Sequence, residues 1–163
     1  MIVGEAFVGS GDEAAHLNVV LGPADDGPVA TAWATALATP SAGHQPFMVV
    51  IEPGTPVRPY TLFVSKATLV GDAHARLTWG PAQAGVAAGV ADAVASGTID
   101  GDGVLIAAVW VDPAASDADL VFENNRTATA QALEAAVSGT PGPDEAVERR
   151  DRAWNPFFRA PGA

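Results

Sequence analysis

Apolar residues cluster at Ile2, Val3, Ala6 and Val8, and the run predicts a strand over residues 1–9. Gly9-Ser-Gly-Asp-Glu13 reads as a turn. Residues 14–22 alternate and are rich in β-branched side chains at Val19 and Val20, which predicts a second strand. The two strands make a hairpin with His16 near the start of its second arm. After a loop at 23–28, an Ala-rich stretch over 29–39 reads as a helix stopped by Pro40. Phe47 to Glu52 reads as a buried strand. Tyr60 to Ser65 reads as another strand, which delivers Lys66 at its end. Residues 67–79 carry a weaker pattern, taken as a strand or two.

Pro81 sits at the first-turn position of a helix predicted to run to about Ser96, with Val86, Val90 and Val94 on one face. Gly85 and Gly89 within it predict close packing against another helix. Residues 104–111 are the most apolar strand and are placed centrally. Residues 116–138 read as a helix ended by Gly139. Strands and helices interleave irregularly after an early hairpin. That predicts an α+β fold, a two-layer sandwich with a mixed sheet. The 163 residues are expected to form one domain, with its core at about 2–140 and a polar tail at about 141–163.

Composition narrows the chemistry. The net charge is -11, which repels phosphate backbones and anionic membrane surfaces and predicts no nucleic acid and no membrane partner. No apolar run is long enough to span a bilayer, and the first residues lack a secretory pattern, so a cytoplasmic location is expected. Cysteine is absent, which removes thiolate nucleophiles and Cys-bound zinc. The three histidines, His16, His44 and His74, show no metal-ligand spacing, so no metal is expected. His44 and His74 lie in polar surroundings and are expected at the surface. Trp33, Trp79, Trp110 and Trp154 are expected in the core or at a subunit interface. Lys66 is the only lysine against seven arginines. A site that needs a compact ammonium cannot use arginine in its place.

Several ordered blocks then point to one family. Gly4-Glu-Ala-Phe-Val-Gly9 is followed by Glu13-Ala-Ala-His-Leu-Asn18, Thr61-Leu-Phe-Val-Ser-Lys66, Gly80-Pro-Ala-Gln-Ala-Gly-Val86, Asp117 to Leu120 and Pro156-Phe157. Together they resemble the formaldehyde-activating enzymes over most of the chain. The resemblance implies a hydro-lyase that condenses formaldehyde with tetrahydromethanopterin, giving the methylene derivative and water. It implies tetrahydromethanopterin as co-substrate, no permanently bound cofactor, and a homopentamer with sites between subunits. By ordered matching, the catalytic histidine falls on His16, and the pterin contacts fall on Asn18, Met48, Lys66, Thr68 and Gln83. The physiological role would be one-carbon metabolism or formaldehyde detoxification.

The chemistry suits these residue types. Formaldehyde and an amine form a carbinolamine, which must expel hydroxide to become an iminium. A general acid that protonates this oxygen removes the difficulty, and imidazole carries and releases protons near neutral pH. Lys66 has two possible roles: a cation orienting the pterin, or an amine capturing formaldehyde as a Schiff base. Gln83 and Thr68 offer donor and acceptor groups, and Met48 a soft apolar wall. Asn18 stands where relatives often carry an acid; it can still hydrogen-bond the pterin but carries no charge to support a protonated His16 or balance an iminium. A non-catalytic pterin-binding or formaldehyde-sensing paralogue, or the same chemistry on another amine carrier, are the alternative readings.

Overall fold

The structure is a computed structural model and describes residues 1–25, 27–42, 45–155 and 158–161. His44 lies outside them. Strands β1 (Ile2–Val8) and β2 (Ala15–Gly22) form the predicted hairpin, and helix α1 (Pro28–Ala38) follows. The expected continuous strand at 47–52 is instead two short ones, β3 (Phe47–Met48) and β4 (Val50–Glu52), the latter paired with β5 (Thr55–Pro56). Only Val49 in this stretch is buried, because it lies at the edge of the main sheet. Strand β6 (Tyr60–Ser65) leads to helix α2 (Gly71–Leu77), then helix α3 (Gln83–Ala95), strand β7 (Val104–Trp110) and helix α4 (Ala118–Ser138). The tail adds α5 (Pro143–Arg149) and a small hairpin, β8 (Trp154–Asn155) with β9 (Phe158–Arg159).

The main sheet has the order β1-β2-β7-β6-β3. All neighbours are antiparallel except β6 and β7, which are parallel. The sheet is therefore mixed, and the fold is α+β. Leu17, Val19, Phe63, Leu105, Ala107 and Val109 form the sheet's buried face. Val86 and Val90 of α3, and Val121, Ala128, Ala132 and Leu133 of α4, cover it. Small residues set this spacing. A Cβ at Gly89 would sit 2.5 Å from the Arg126 carbonyl oxygen, and one at Gly85 would collide with that of Phe122. The two glycines let α3 and α4 pack at backbone contact, as the sequence suggested. Asp117 caps α4 by accepting from the Asp119 and Leu120 amides, each at 3.0 Å.

The opposite face is only partly covered. Gly22 is on it by strand alternation, and a Cβ there would meet Val29 of α1. So α1 shields the end of the sheet near Gly22 and leaves the end near His16 open.

Residues 67–79 are not strands. Residues 71–77 are helical, and a wide π-type turn over Thr78–Ala82 carries the chain from α2 into α3. Pro81 falls inside that turn instead of starting a helix; a wider turn tolerates the absence of the amide hydrogen that proline cannot supply. His74 is also not at the surface. It is 1% exposed, receives the Val70 amide at Nδ1 over 3.1 Å, and donates from Nε2 to the Val111 carbonyl over 3.0 Å. Helix formation turned this polar residue inward, where it joins the loop before α2 to the end of β7. None of the four tryptophans is fully buried, and Trp79 and Trp154 are 49% and 62% exposed.

Candidate active site

Strand register places the candidate residues. Antiparallel pairing sets Phe7 beside His16 and His16 beside Trp110. The next row on the same face is Glu5, Asn18 and Ala108, continued by Val64 of the parallel neighbour. All of these side chains point to the open face, because Ala6, Leu17 and Val109 between them are buried under the helices. Lys66 follows β6 immediately, its amide donating to the Val109 carbonyl over 2.8 Å. One step beyond the Ser65–Val109 pair, Lys66 falls in the row of Trp110 and His16, next to the row of Glu5.

Glu5 is the residue that sequence reasoning left out of the site. Its Oε1 lies 2.8 Å from Nε2 of His16. A carboxylate thus faces His16 diagonally across the hairpin although position 18 is Asn. The signal was partial: a turn over 9–13 alone would set Glu5 opposite Leu17, whereas the observed register, closing at Val8 and Ala15, sets it opposite Asn18 and diagonal to His16. The Phe7 ring flanks the imidazole, with centroids 6.1 Å apart.

Lys66 is held in an unusual state. Its Nζ is shielded from solvent and has no hydrogen-bond partner among the described residues. Burial pulls its pKa below the usual value, and the negative charge of Glu5 pulls partly back. Glu5 therefore acts on both His16 and Lys66. Beside this group lies a cavity of about 470 Å³ lined by Phe7, Asp12, Trp110, Asp112 and Trp154, among others.

The other candidates lie elsewhere. Met48 pairs with Leu62 on the edge strand β3, three strands from His16, or about 14 Å across the sheet at ~4.8 Å per strand. Gln83 is its neighbour: both line a cavity of about 400 Å³ with Phe47, Val50 and Trp79. The Gln83 Oε1 accepts the Val50 amide at 2.8 Å, tying α3 to this edge. Thr68 is exposed in the loop two residues beyond Lys66. The structure thus brings His16, Asn18 and Lys66 together with Glu5, sets Thr68 just beyond Lys66, and keeps Met48 and Gln83 apart at the far edge.

Comparison with known proteins bears on what these residues serve. The sequence model for the formaldehyde-activating enzyme, Fae, matches residues 3–158. The chain belongs to the formaldehyde-activating enzyme family. It is 41% identical over 160 residues to the 5,6,7,8-tetrahydromethanopterin hydro-lyase of Methanosarcina barkeri, covering 96% of this chain and 89% of that protein. It is 41% identical over 157 residues to the bifunctional enzyme Fae/Hps of Methanococcoides burtonii, and 39% over 160 residues to that of Methanosphaera stadtmanae. These cover 94% and 96% of this chain but only 39% of each longer protein. In this member of the formaldehyde-activating enzyme family, the histidine and the single lysine share one open sheet face and one carboxylate.

Proposed function

We propose that this chain condenses formaldehyde with tetrahydromethanopterin, or a similar reduced pterin, to the methylene derivative and water, with His16 as general acid. The observation that carries this reading is the 2.8 Å pair between His16 Nε2 and Glu5 Oε1 on the open face beside Lys66. The amine nitrogen of the carrier adds to the formaldehyde carbon, and its proton passes to the oxygen, giving a carbinolamine. His16 then protonates that oxygen, the C–O bond breaks, and water leaves as the nitrogen lone pair forms the iminium. A second nitrogen of the carrier closes on the methylene carbon and releases a proton, which recharges the imidazole. With Nε2–H held by Glu5, Nδ1 is the ring nitrogen available for this exchange. Glu5 orients the ring and balances its positive charge. Positioned proton transfer of this kind is worth roughly 10²–10⁴-fold.

Asn18 and Thr68 supply hydrogen-bonding groups to the pterin on the His16 side. Met48 and Gln83 serve the same ligand from a second copy of the chain, because one copy holds them a sheet's width from His16. The chain is proposed to form homopentamers with sites between subunits, and the exposed Trp79 beside Met48 gives that edge an apolar surface to bury. A monomeric mass by light scattering would remove the shared site.

Lys66 supports a second reading. A shielded amine with a lowered pKa is a better nucleophile than an exposed one. It could take formaldehyde first, losing water to give an iminium on Nζ, and pass the carbon to the carrier. Borohydride with formaldehyde would then fix a methyl group on Lys66, whereas an orienting cation stays unlabelled. The main reading is tested by following methylene-tetrahydromethanopterin formation with and without protein, for the parent and His16→Ala. Acceleration that disappears in the variant supports it. No acceleration by a folded parent overturns it.

A further inference from the structure

The tail carries a charge pattern that the rest of the chain does not. The protein has nineteen acidic residues and eight basic ones. Yet Arg149, Arg150, Arg152 and Arg159, four of its seven arginines, fall within eleven residues. Three of them, Arg149, Arg152 and Arg159, line one cavity of about 530 Å³ with Ala153 and Trp154. Three guanidinium groups around one hollow repel one another unless an anion sits among them. Carboxylates are abundant in this chain, but among the described residues only Arg149 of the three is paired, to Glu145. Among the described residues, no carboxylate lies within ion-pair distance of Arg152 or Arg159. Arg159 is instead fixed over the Trp154 ring, 5.1 Å from its centroid, by the β8–β9 hairpin.

Trp154 links this hollow to the candidate active site. The same side chain lines the cavity that holds Phe7 and Trp110, the two cross-strand neighbours of His16. That second cavity also holds Asp12 and Asp112 and so disfavours negative charge. A ligand extending from His16 past Trp154 meets carboxylates first and guanidinium groups beyond. We infer that the arginine cavity binds an anionic group, phosphate or carboxylate, borne on the part of the amine carrier remote from its reacting nitrogen. Guanidinium forks suit both anions. A protein of net charge -11 repels such a ligand at long range, and a local basic pocket offsets that repulsion where the ligand must dock.

This inference rests on the condensation reading for the identity of the ligand, but not for the anion site itself, and the test separates the two. Arginine Nε–Hε signals of the full chain are followed by NMR during titration with inorganic phosphate and, separately, citrate. Arg149, Arg152 and Arg159 are expected to shift in saturable fashion, while Arg58, which stacks on Tyr60, and Arg126, paired with Asp92, stay put. The arm that shifts at lower concentration identifies the preferred anion. Equal, unsaturated shifts at all seven arginines would overturn the site. In the kinetic arm, Arg152→Ala and Arg159→Ala are each expected to raise KM for the intact carrier about tenfold, with kcat held within about twofold, as for loss of one charge-assisted contact. Arg58→Ala serves as the control variant. Anion binding with an unchanged KM in both variants would overturn the assignment to the carrier. An inactive parent that still shows the NMR shifts would fault the condensation reading alone.

Discussion

Replacing Lys66 with methionine separates a functional amine from a structural one. Its Nζ is shielded and lacks a hydrogen-bond partner among the described residues, and burial lowers its pKa. An unsatisfied buried polar group costs about 1–3 kcal/mol, and attraction to Glu5 returns part of that. Methionine keeps the stem's packing and removes the ammonium. Lys66→Met is therefore expected to stabilise the fold at pH 7 by about 1–2 kcal/mol. For a chain of this size that raises Tm by about 2–8 °C, while condensation activity falls. The pH dependence follows from linkage. Unfolded, the lysine keeps its proton up to about 10.5, whereas folded Lys66 releases it earlier. Between those values the unfolded chain holds the extra proton, so wild-type stability rises with pH through the window. The advantage of the variant is widest below the lowered pKa and closes as pH approaches 10.5. Urea denaturation of both proteins across that range, at fixed protomer concentration, measures it. A variant less stable than wild type by 1 kcal/mol or more at pH 7 would show that the ammonium holds the fold together, and would refute the reasoning.

Glu5→Gln is expected to lower kcat at least tenfold, short of the loss in His16→Ala. It should also move the Lys66 titration further down, because the charge opposing the effect of burial is gone; the single lysine gives one unambiguous Cε signal by carbon NMR. Gly89→Ala should destabilise the protein by about 1–3 kcal/mol, since its methyl would press on the Arg126 carbonyl and force α3 from α4; denaturant midpoints at constant m-value report it. His74→Leu leaves the Val70 amide and Val111 carbonyl unpaired and should lose about 2–4 kcal/mol, read the same way.

How much of this was legible depends on how far each signal reaches along the chain. The hairpin, β6, β7 and α4 announce themselves through long apolar periods, and the structure places them within a few residues of those readings. Residues 71–82 misled because Pro81 looks like a helix start. Only the three-dimensional chain reveals the wide turn that lets one helical path run through it. His74 misled for the same reason. Its sequence neighbours are polar, but a helix puts Thr78 one turn on, its hydroxyl donating to the His74 carbonyl, and both face the core.

The site shows the sharper limit. Ordered blocks point to His16, Asn18 and Lys66 as candidates, and these blocks describe neighbours along the chain. Catalytic pairing acts across strands. Asn18 looked like a lost acid as long as the acid was sought in the strand that carries the histidine. The register of β1 against β2 moves that search to Glu5, which one pairing places opposite Asn18 and 2.8 Å from the His16 ring nitrogen. The negative charge of the same carboxylate also acts on Lys66. With Asn at position 18, His16 still faces a carboxylate, that of Glu5 in the family-like block Gly4 to Gly9. Loss of Glu5 should therefore disturb His16 and Lys66 together, whereas Asn18→Ala should affect pterin binding and leave the Lys66 titration where it is.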